Sequence, residues 1–294
     1  MSETPTIGYL GPAGSHSHQA VYKLGEAGLD HAEAVPWPSL GRLMEAVAQG
    51  KALYGLLPVE NALEGAVVEV MEAIGLGKHE LIVLAEITIP VVHCLIAPDK
   101  EEDGPDPAVE TVISHPQALA QCRENLTARF GESLHYELAA STSDAVRRLK
   151  LTGNPTWRAV GTEAAAALYG LTVEATNISD APDNQTRFWL ITGKNTPTDL
   201  HLPKGWTDKS LKTSVCVGLK DRPGVLSDVL VLLKEHGVNL TRIESRPSKK
   251  RFGDYMFYLD MDCDLTAAKH QNTLADLKKE THYLHLAGPY KILQ

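Results

Sequence analysis

Apolar positions in the first two thirds of the chain follow two spacings in turn. Short continuous runs, such as Thr6–Leu10 and residues 54–57, have the character of strands that are buried on both faces. Segments such as residues 40–47 instead place apolar residues at i, i+3, i+4 and i+7, the spacing of an amphipathic helix. Strand and helix alternate in this way over about 190 residues, which predicts a parallel α/β architecture.

An α/β chain of this length often divides into two lobes with a cleft between them. We predict a main part over residues 1–195, with a first lobe at about 1–89 and 176–195 and a second lobe at about 90–175. The periodicity stops over residues 196–211, where Pro and Gly recur, so this segment is expected to be a linker.

A second unit follows over residues 212–294. Its patterns occur in the order strand, helix, strand, strand, helix, strand, which predicts an α+β ferredoxin-like βαββαβ fold. A unit of about 80 residues has a small core, and the edge of its sheet invites pairing with a second copy. We therefore expect a homodimer or a homotetramer that forms through this unit.

Composition and charge narrow the classes of partner. The net charge is −9, and residues 1–210 hold 15 Lys+Arg against 27 Asp+Glu, which argues against a nucleic-acid partner. No apolar run approaches a membrane span, and the first residues have no signal-peptide pattern. The four cysteines lack the spacing of metal ligands. We expect a cytoplasmic protein that needs neither a metal nor a cofactor.

Small and polar residues stand where predicted strands lead into helices. In open α/β sheets such junctions gather at the carboxyl ends of the strands, where ligands bind. The first junction is a glycine turn before a helix that starts at about Gln19. It favours an anion site, although it is neither a Walker loop nor a GxGxxG motif. The junction residues are Ser15, Glu60, Asn61, Ser114, Ser141 and Thr142.

Some of these residues have an ordinary structural interpretation. Glu60 and Asn61 either form a turn and a cap or line a cleft, and the sequence leaves both open. Gln121 lies near the start of a predicted helix, where a solvated face is the simpler interpretation. His16 and His18 are interpreted as surface histidines, because no carboxylate or cysteine stands near them at ligand spacing.

Residues 184–187 place an amide, a hydroxyl and a guanidinium at the start of an apolar strand. Polar groups in such a place are costly unless they are hydrogen-bonded or functional, and locally an ordinary turn accounts for them. In a regular strand Thr186 and Arg187 point to opposite faces, so only one of them can face a cleft directly. We favour Thr186, with Arg187 either paired with Glu60 or Asp183 or reaching round to a carboxylate of the ligand.

Seven motifs, in chain order, are similar to those of one family. They are Gly11-Pro12-Ala13-Gly14-Ser15, Pro58-Val59-Glu60-Asn61, Ser114-His115-Pro116-Gln117-Ala118 with Gln121-Cys122, Ser141-Thr142, Asn184-Gln185-Thr186-Arg187-Phe188, Gly224-Val225-Leu226, and Glu244-Ser245-Arg246-Pro247. The chain thus resembles a prephenate dehydratase with a C-terminal ACT regulatory domain. This resemblance implies a catalytic part of two α/β lobes similar to type II periplasmic binding proteins. The first strand starts near Thr6, so a monofunctional enzyme without a fused chorismate mutase is expected.

The resemblance implies decarboxylative dehydration of prephenate to phenylpyruvate, with the catalytic role at Thr186. The residues implied to bind the substrate are Ser15, Glu60, Asn61, Ser114, Gln121, Ser141, Thr142, Asn184 and Arg187. The effector implied is L-phenylalanine, bound between paired ACT domains. The residues implied to bind it are Gly224, Val225, Leu226, Glu244, Ser245, Arg246 and Pro247.

Two positions depart from the family pattern. Ala62 stands where the family usually has Ser or Thr, and His16 replaces a common aromatic residue. Two alternative functions also stay open. An arogenate dehydratase differs only in an amine on the substrate side chain, and an amino-acid sensor would bind in the cleft without catalysis. No residue separates the two substrates, whereas the hydroxyl donor at Thr186 argues against a sensor.

Overall fold

The computed structural model describes residues 4–98, 107–196, 203–206, 210–220, 222–249 and 254–293. The strands are β1 (Thr6–Leu10), β2 (Glu33–Trp37), β3 (Tyr54–Asn61), β4 (Gly65–Ala66), β5 (Leu81–Pro90), β6 (Cys94–Ala97), β7 (Thr111–Ser114), β8 (His135–Leu138), β9 (Trp157–Gly161), β10 (Thr172–Ala175), β11 (Gln185–Gly193), β12 (Leu211–Leu219), β13 (Leu240–Pro247), β14 (Tyr255–Met261) and β15 (Thr281–Leu293). The α-helices are α1 (His16–Leu24), α2 (Leu40–Ala48), α3 (Val68–Gly75), α4 (Pro116–Gln121), α5 (Arg123–Phe130), α6 (Thr142–Thr152), α7 (Glu163–Tyr169), α8 (Val225–Glu235) and α9 (Gln271–Glu280). No helix in these ranges is long and apolar enough to cross a bilayer.

Side-chain caps and apolar stripes set the helices where the sequence pattern predicts them. In α2, the hydroxyl of Ser39 accepts the N–H of Arg42, and the apolar stripe of the helix is fully buried. In α6, Ser141 accepts the N–H of Asp144, and Gly153 ends the helix in the left-handed conformation that glycine adopts at low cost. The strand-and-helix alternation of the sequence therefore becomes real secondary structure.

The strands form two sheets. The larger has the order β13-β14-β12-β15-β5-β11-β3-β1-β2, with β4 paired to β3, and the smaller has the order β10-β6-β9-β7-β8. The chain passes to the smaller sheet after β5 and returns to the larger one before β11. A cleft lies between the two lobes, near both crossings. The predicted fold class, two α/β lobes followed by a ferredoxin-like unit, is confirmed.

The sheets are not wholly parallel, contrary to the simplest form of the prediction. Strand β11 runs antiparallel to both β3 and β5, and β6 runs antiparallel to β9 and β10. Strands β6 and β11 are the first strands after the two crossings, and each enters its sheet from the far lobe, so it runs against the strands beside it. The parallel pairs β1–β2, β1–β3, β7–β8 and β7–β9 are those joined by helical crossovers.

The ferredoxin-like unit is fused to the first lobe through one continuous sheet. Strand β15 pairs with β12 and then continues to Leu293, where it runs parallel to β5. The apolar pattern of the sequence indicates a strand only over residues 283–286, so β15 is longer than this pattern predicts. A shared apolar core reinforces the junction, because Met71, Ile74 and Trp189 pack in one buried cluster with Tyr258 and Tyr290.

Candidate active site

Thr186 and Asn61 form the polar centre of the cleft. They are direct neighbours in the antiparallel pair of β11 and β3, and the Asn61 Nδ2 atom donates to Thr186 Oγ1 at 2.9 Å. The Oδ1 atom of Asn61 accepts the backbone N–H groups of Leu63 and Glu64, which fixes the orientation of the amide. Because an N–H group occupies one lone pair of the Thr186 oxygen, the hydroxyl proton is free to point into the cleft.

The cleft encloses about 330 Å³ between the two lobes. Five of the ten residues predicted to contact substrate line it, namely Asn61, Gln121, Thr142, Asn184 and Thr186. Asn184 is 2% exposed, and neither atom of its amide has a partner in the described protein. A buried amide without a hydrogen-bond partner is costly, so Asn184 is well suited to bind a ligand.

Three predicted serines support the cleft from behind its lining. Ser15 and Ser141 cap α1 and α6, and the Ser114 hydroxyl donates to the Val160 carbonyl oxygen at 2.7 Å. The residues that follow in the first turns, His16, Gln117 and Thr142, do line the cavity. The serines therefore hold helix N-termini toward the cleft, where the helix dipole favours an anion.

The predicted pairing of Arg187 with Glu60 is confirmed, but the structure places neither residue in the cleft, which corrects their expected place in the lining. They lie on the opposite face of their strands, as the alternation of side chains in a β-strand requires. Arg187 forms ion pairs with Glu60 at 3.1 Å, Glu86 at 3.0 Å and Asp260 at 2.7 Å. Burial alone lowers the pKa of this guanidinium, but the pKa is raised overall because Asp260 and Glu86 outweigh burial.

Two histidines that the sequence did not assign to the site, His16 and His93, line the cleft. Their rings meet edge to face at 5.4 Å, and the Nε2 atom of His16 and the Nδ1 atom of His93 are buried without a partner. The interpretation of His16 as a surface residue is wrong. The signal that could have found it is Ser15: α1 begins directly after this cap, three residues before the predicted start.

Both rings are neutral near pH 7. Burial, and then the neighbouring His93, lower the pKa of His16 to about 4. Burial also lowers the pKa of His93. The Nε2 atom of His93 lies 2.9 Å from Gln121 Oε1, and Gln121 Nε2 donates to Glu64 Oε1 at 3.2 Å, so a hydrogen-bonded chain crosses from one lobe to the other.

The charge of the cleft is unusual for an anion site. Among the described residues that line it there is no lysine or arginine, and Glu64 brings a carboxylate. A bound anion must therefore rely on amides, a hydroxyl, neutral imidazoles and helix N-termini. The described ranges also contain no cluster of three or more His, Cys, Asp or Glu side chains that could hold a metal ion.

A second cavity of about 460 Å³ lies in the ferredoxin-like unit. Val225 and Arg222 line it beside the start of α8, together with Phe257 of β14 and Leu76 of the first lobe. Gly224 caps α8 in the left-handed conformation, with φ of 81°. Of the residues predicted to bind the effector, Val225 alone is among those that line this cavity.

The other effector motif lies on strand β13, an edge of the larger sheet. Its four residues pair with β14 on one side, and within the described chain no strand covers the other side. Glu244 pairs with Arg246 at 2.7 Å along the strand. Ser245 and Pro247 stand opposite Phe257 and Tyr255 in the register. The cavity beside α8 is lined by Ser248, which directly follows this motif, and by partners of its residues on β14, so the motif lies next to the cavity without lining it.

Comparison with known families agrees with this architecture. Residues 7–196 match the family described as Prephenate dehydratase. The chain belongs to the prephenate dehydratase family. Residues 213–279 match the ACT domain, so the ferredoxin-like unit of this chain is an ACT domain.

Individual relatives cover most of the chain. It is 37% identical to a prephenate dehydratase of Methanocaldococcus jannaschii, over 81% of this chain and 81% of that one. It is 34% identical to arogenate dehydratase 2 of Petunia hybrida, over 97% of this chain and 71% of that one. The solved prephenate dehydratase of Arthrobacter aurescens, in complex with L-Phe, is 31% identical, with a TM-score of 0.79 and 97% and 90% coverage.

Proposed function

We propose that this chain converts prephenate to phenylpyruvate by decarboxylative dehydration, with the hydroxyl of Thr186 as the hydrogen-bond donor to the leaving group. The observation that carries the proposal is the 2.9 Å hydrogen bond from Asn61 to Thr186 at the centre of the cleft. Residues 1–195 form the catalytic part and residues 212–294 the regulatory part.

The reaction requires a hydrogen-bond donor to one oxygen atom, that of the leaving hydroxyl group. The bond from the ring to its carboxylate breaks and releases carbon dioxide, and that electron pair makes the ring aromatic as the carbon–oxygen bond of the hydroxyl breaks. The departing hydroxide takes one proton and leaves as water. A donor aimed at this oxygen typically gives on the order of 10²–10⁴ in rate. Thr186 supplies the hydrogen bond, and a water or a neighbouring group completes the proton transfer, because an alcohol is a weak acid.

The substrate is held without side-chain cations. Asn184, Gln121 and Thr142 supply neutral polar groups, and the N-termini of α1, α4 and α6 supply partial positive charge. Such weak, distributed binding suits the reaction, since strong ground-state stabilisation of the departing carboxylate would slow its loss. Ser15, Ser114 and Ser141 contribute by holding the helices and the end of β7, not by contact with the substrate.

Phenylalanine regulates the enzyme through the ACT domain. The cavity beside α8 offers apolar walls from Val225 and Phe257 and a guanidinium from Arg222, which match an aromatic amino acid. Gly224 and Leu226 shape the start of α8. Glu244, Ser245, Arg246 and Pro247 lie on β13, the last strand of the described sheet, and a second copy paired along this edge would place the ligand between two ACT domains of a homodimer or a homotetramer.

Turnover of purified protein tests the catalytic proposal. Thr186→Ala should lower kcat by about 100-fold or more, whereas Thr186→Ser, which keeps the donor, should retain most of the activity. Phenylpyruvate is followed by its absorbance, and circular dichroism checks that both variants are folded. Near-normal phenylpyruvate formation by Thr186→Ala would refute the role given to this hydroxyl.

The same assay with arogenate as the substrate tests the second candidate function, that of an arogenate dehydratase. The Petunia relative is named an arogenate dehydratase, and the carboxylate of Glu64 lies in the cleft where a substrate amine would meet it. Faster release of phenylalanine from arogenate than of phenylpyruvate from prephenate would identify arogenate as the preferred substrate. Absence of any turnover, with tight binding of either compound, would identify a sensor.

Inhibition and thermal stability test the regulatory proposal on the intact chain. L-phenylalanine should lower the rate and raise the Tm, and D-phenylalanine is the matched control for the stereochemistry of the site. Sedimentation of the protein with and without the effector gives the oligomeric state. The proposal fails if L-phenylalanine changes neither the rate nor the Tm.

A further inference from the structure

A group of ion pairs joins the ACT domain to the two strands that carry the catalytic pair. In the register of β3 and β11, Thr186 stands opposite Asn61 and Arg187 opposite Glu60. One pair faces the cleft and the next pair faces the ACT domain. Consecutive Cα atoms are only about 3.8 Å apart, so any displacement of the Glu60 backbone also displaces the backbone of Asn61.

The ACT domain holds both members of the second pair. Arg242 of β13 donates from Nε to Glu60 Oε1 at 3.0 Å, and the side chain of Arg242 is only 10% exposed. Asp260 of β14 pairs with Arg187 at 2.7 Å and also accepts the hydroxyl of Ser214 at 2.6 Å. These contacts come from neighbouring strands of the ACT sheet.

Charge makes the two sides of this group interdependent. The catalytic part contributes Glu60, Glu86 and Arg187, which sum to −1. Glu86 also receives Lys212 of the ACT domain at 3.2 Å. Arg187 already serves three carboxylates, and the other cation paired with Glu60 among the described residues is Arg242, which also lies 3.5 Å from Glu244. Removal of Arg242 leaves Glu60, whose side chain is 33% exposed, with Arg187 as its remaining cation, and Arg187 is shared with Glu86 and Asp260. This unequal sharing favours rearrangement of the group that remains.

The catalytic pair is sensitive to such a rearrangement. The hydrogen bond from Asn61 to Thr186 weakens steeply when its length or angle changes. Arg242 holds Glu60 on the side of the strand opposite to Asn61, and this contact therefore sets the position of the end of β3. The neighbouring anchor, Arg187, sets the corresponding position of β11.

We propose that Arg242 of the ACT domain is a positioning residue for the dehydration. By holding Glu60, Arg242 fixes the end of β3, keeps Asn61 within hydrogen-bonding distance of Thr186, and so directs the threonine hydroxyl into the cleft. The inference rests on the proposed role of Thr186. It gives the ACT domain a part in the reaction that does not require a bound effector.

The experiment combines Arg242→Gln, Glu60→Gln and the double variant in the intact chain, without effector. Arg242→Gln should lower kcat by about 10- to 100-fold, the loss expected from a small misplacement at a reacting centre, with KM changed less than twofold. If Arg242 acts through Glu60, the double variant should be no slower than the slower single variant. Arg242→Lys, which keeps the charge, should recover part of the rate.

Two controls separate positioning from general damage. Arg129→Gln makes the same chemical change at an exposed arginine of α5, whose Nε atom bonds Asn125, and should leave kcat unchanged. Hydrogen exchange of the peptide that spans residues 57–66 should be faster in Arg242→Gln than in Arg129→Gln. This readout does not depend on turnover, so it tests the inference even if the proposed reaction is wrong.

Several results would overturn the inference. One is a lower Tm in Arg242→Gln with kcat unchanged below the transition. A second is a double variant in which the losses in kcat of the two single variants multiply, and a third is unchanged exchange over residues 57–66. Absence of prephenate turnover by the unmodified protein, with faster exchange in Arg242→Gln, would instead refute the proposed function and leave the structural link intact.

Discussion

His16 makes the stability of the catalytic part depend on pH, and His16→Phe should remove that dependence. In the folded protein this ring is neutral, because burial, followed by the neighbouring His93, lowers its pKa from 6.5 to about 4. In the unfolded chain the ring regains an ordinary pKa near 6.5. Phenylalanine keeps an aromatic ring at this position and has no titrating group.

The sign and the size follow from these two pKa values. Between pH 6.5 and pH 4 the unfolded chain binds a proton that the folded protein does not, so stability falls as the pH is lowered. At pH 5 the expected loss from His16, relative to pH 8, is about 2 kcal/mol, and it approaches about 3 kcal/mol below pH 4. The loss on going from pH 8 to pH 5 should therefore be about 2 kcal/mol smaller in His16→Phe.

Urea unfolding at the two pH values measures this difference. Three of the four tryptophans, Trp37, Trp157 and Trp189, lie in the catalytic part, so tryptophan fluorescence follows its unfolding, and Trp189 also reports on the junction with the ACT domain through its contact with Tyr290. His135→Phe places the same side chain at an exposed position of β8 and is the matched control. Equal losses between pH 8 and pH 5 in the unmodified protein and in His16→Phe would refute the assignment of a depressed pKa to His16.

Three further substitutions test separate parts of the structure. Asn61→Asp replaces the N–H donor to Thr186 by a carboxylate, which would accept the threonine proton. The value of kcat should therefore fall about as far as in Thr186→Ala, and a rate within threefold of normal would contradict the direction of this hydrogen bond. Leu293→Ala removes a buried anchor of β15 on β5 and should cost about 2–5 kcal/mol in urea unfolding, whereas a loss under about 1 kcal/mol would show that this pairing is weak. Gly75→Ala would place a methyl group 2.5 Å from the Tyr258 ring, and calorimetry should show a destabilisation of about 1–3 kcal/mol, with an unchanged Tm as the contrary result.

Local patterns were enough to predict much of the fold. The apolar periodicity gave the strands and helices of both lobes, and the capping residues Ser39 and Ser141 marked helix starts. These features depend on neighbours within a few residues, so they can be read from the chain directly. The same reasoning placed Thr186 and Arg187 on opposite faces of one strand, which is what the structure shows.

The residues of the candidate site were predictable only where they stand at the end of a strand or at the start of a strand or helix. Asn61, Thr142 and Thr186 were found in this way. His16 was missed because the predicted start of α1 was three residues late. Glu64 was missed because nothing in its sequence neighbourhood indicates that Gln121 of the other lobe approaches it. Contacts between lobes depend on the packing of both, which local periodicity does not contain.

The sequence by itself determined the order of elements, the helix caps and the alternation that sends Thr186 and Arg187 to opposite sides of a strand, because each is a short-range property of the backbone. Only the tertiary structure decided which groups these two side chains meet on each side of the strand. The approach of the second lobe buries His16 against His93 and depresses its pKa. The pairing of β15 with β5 brings the ACT domain against the back of the site, so that Arg187 pairs with Asp260 and does not line the cleft. Both outcomes follow from surfaces far apart in sequence that exclude water when they meet.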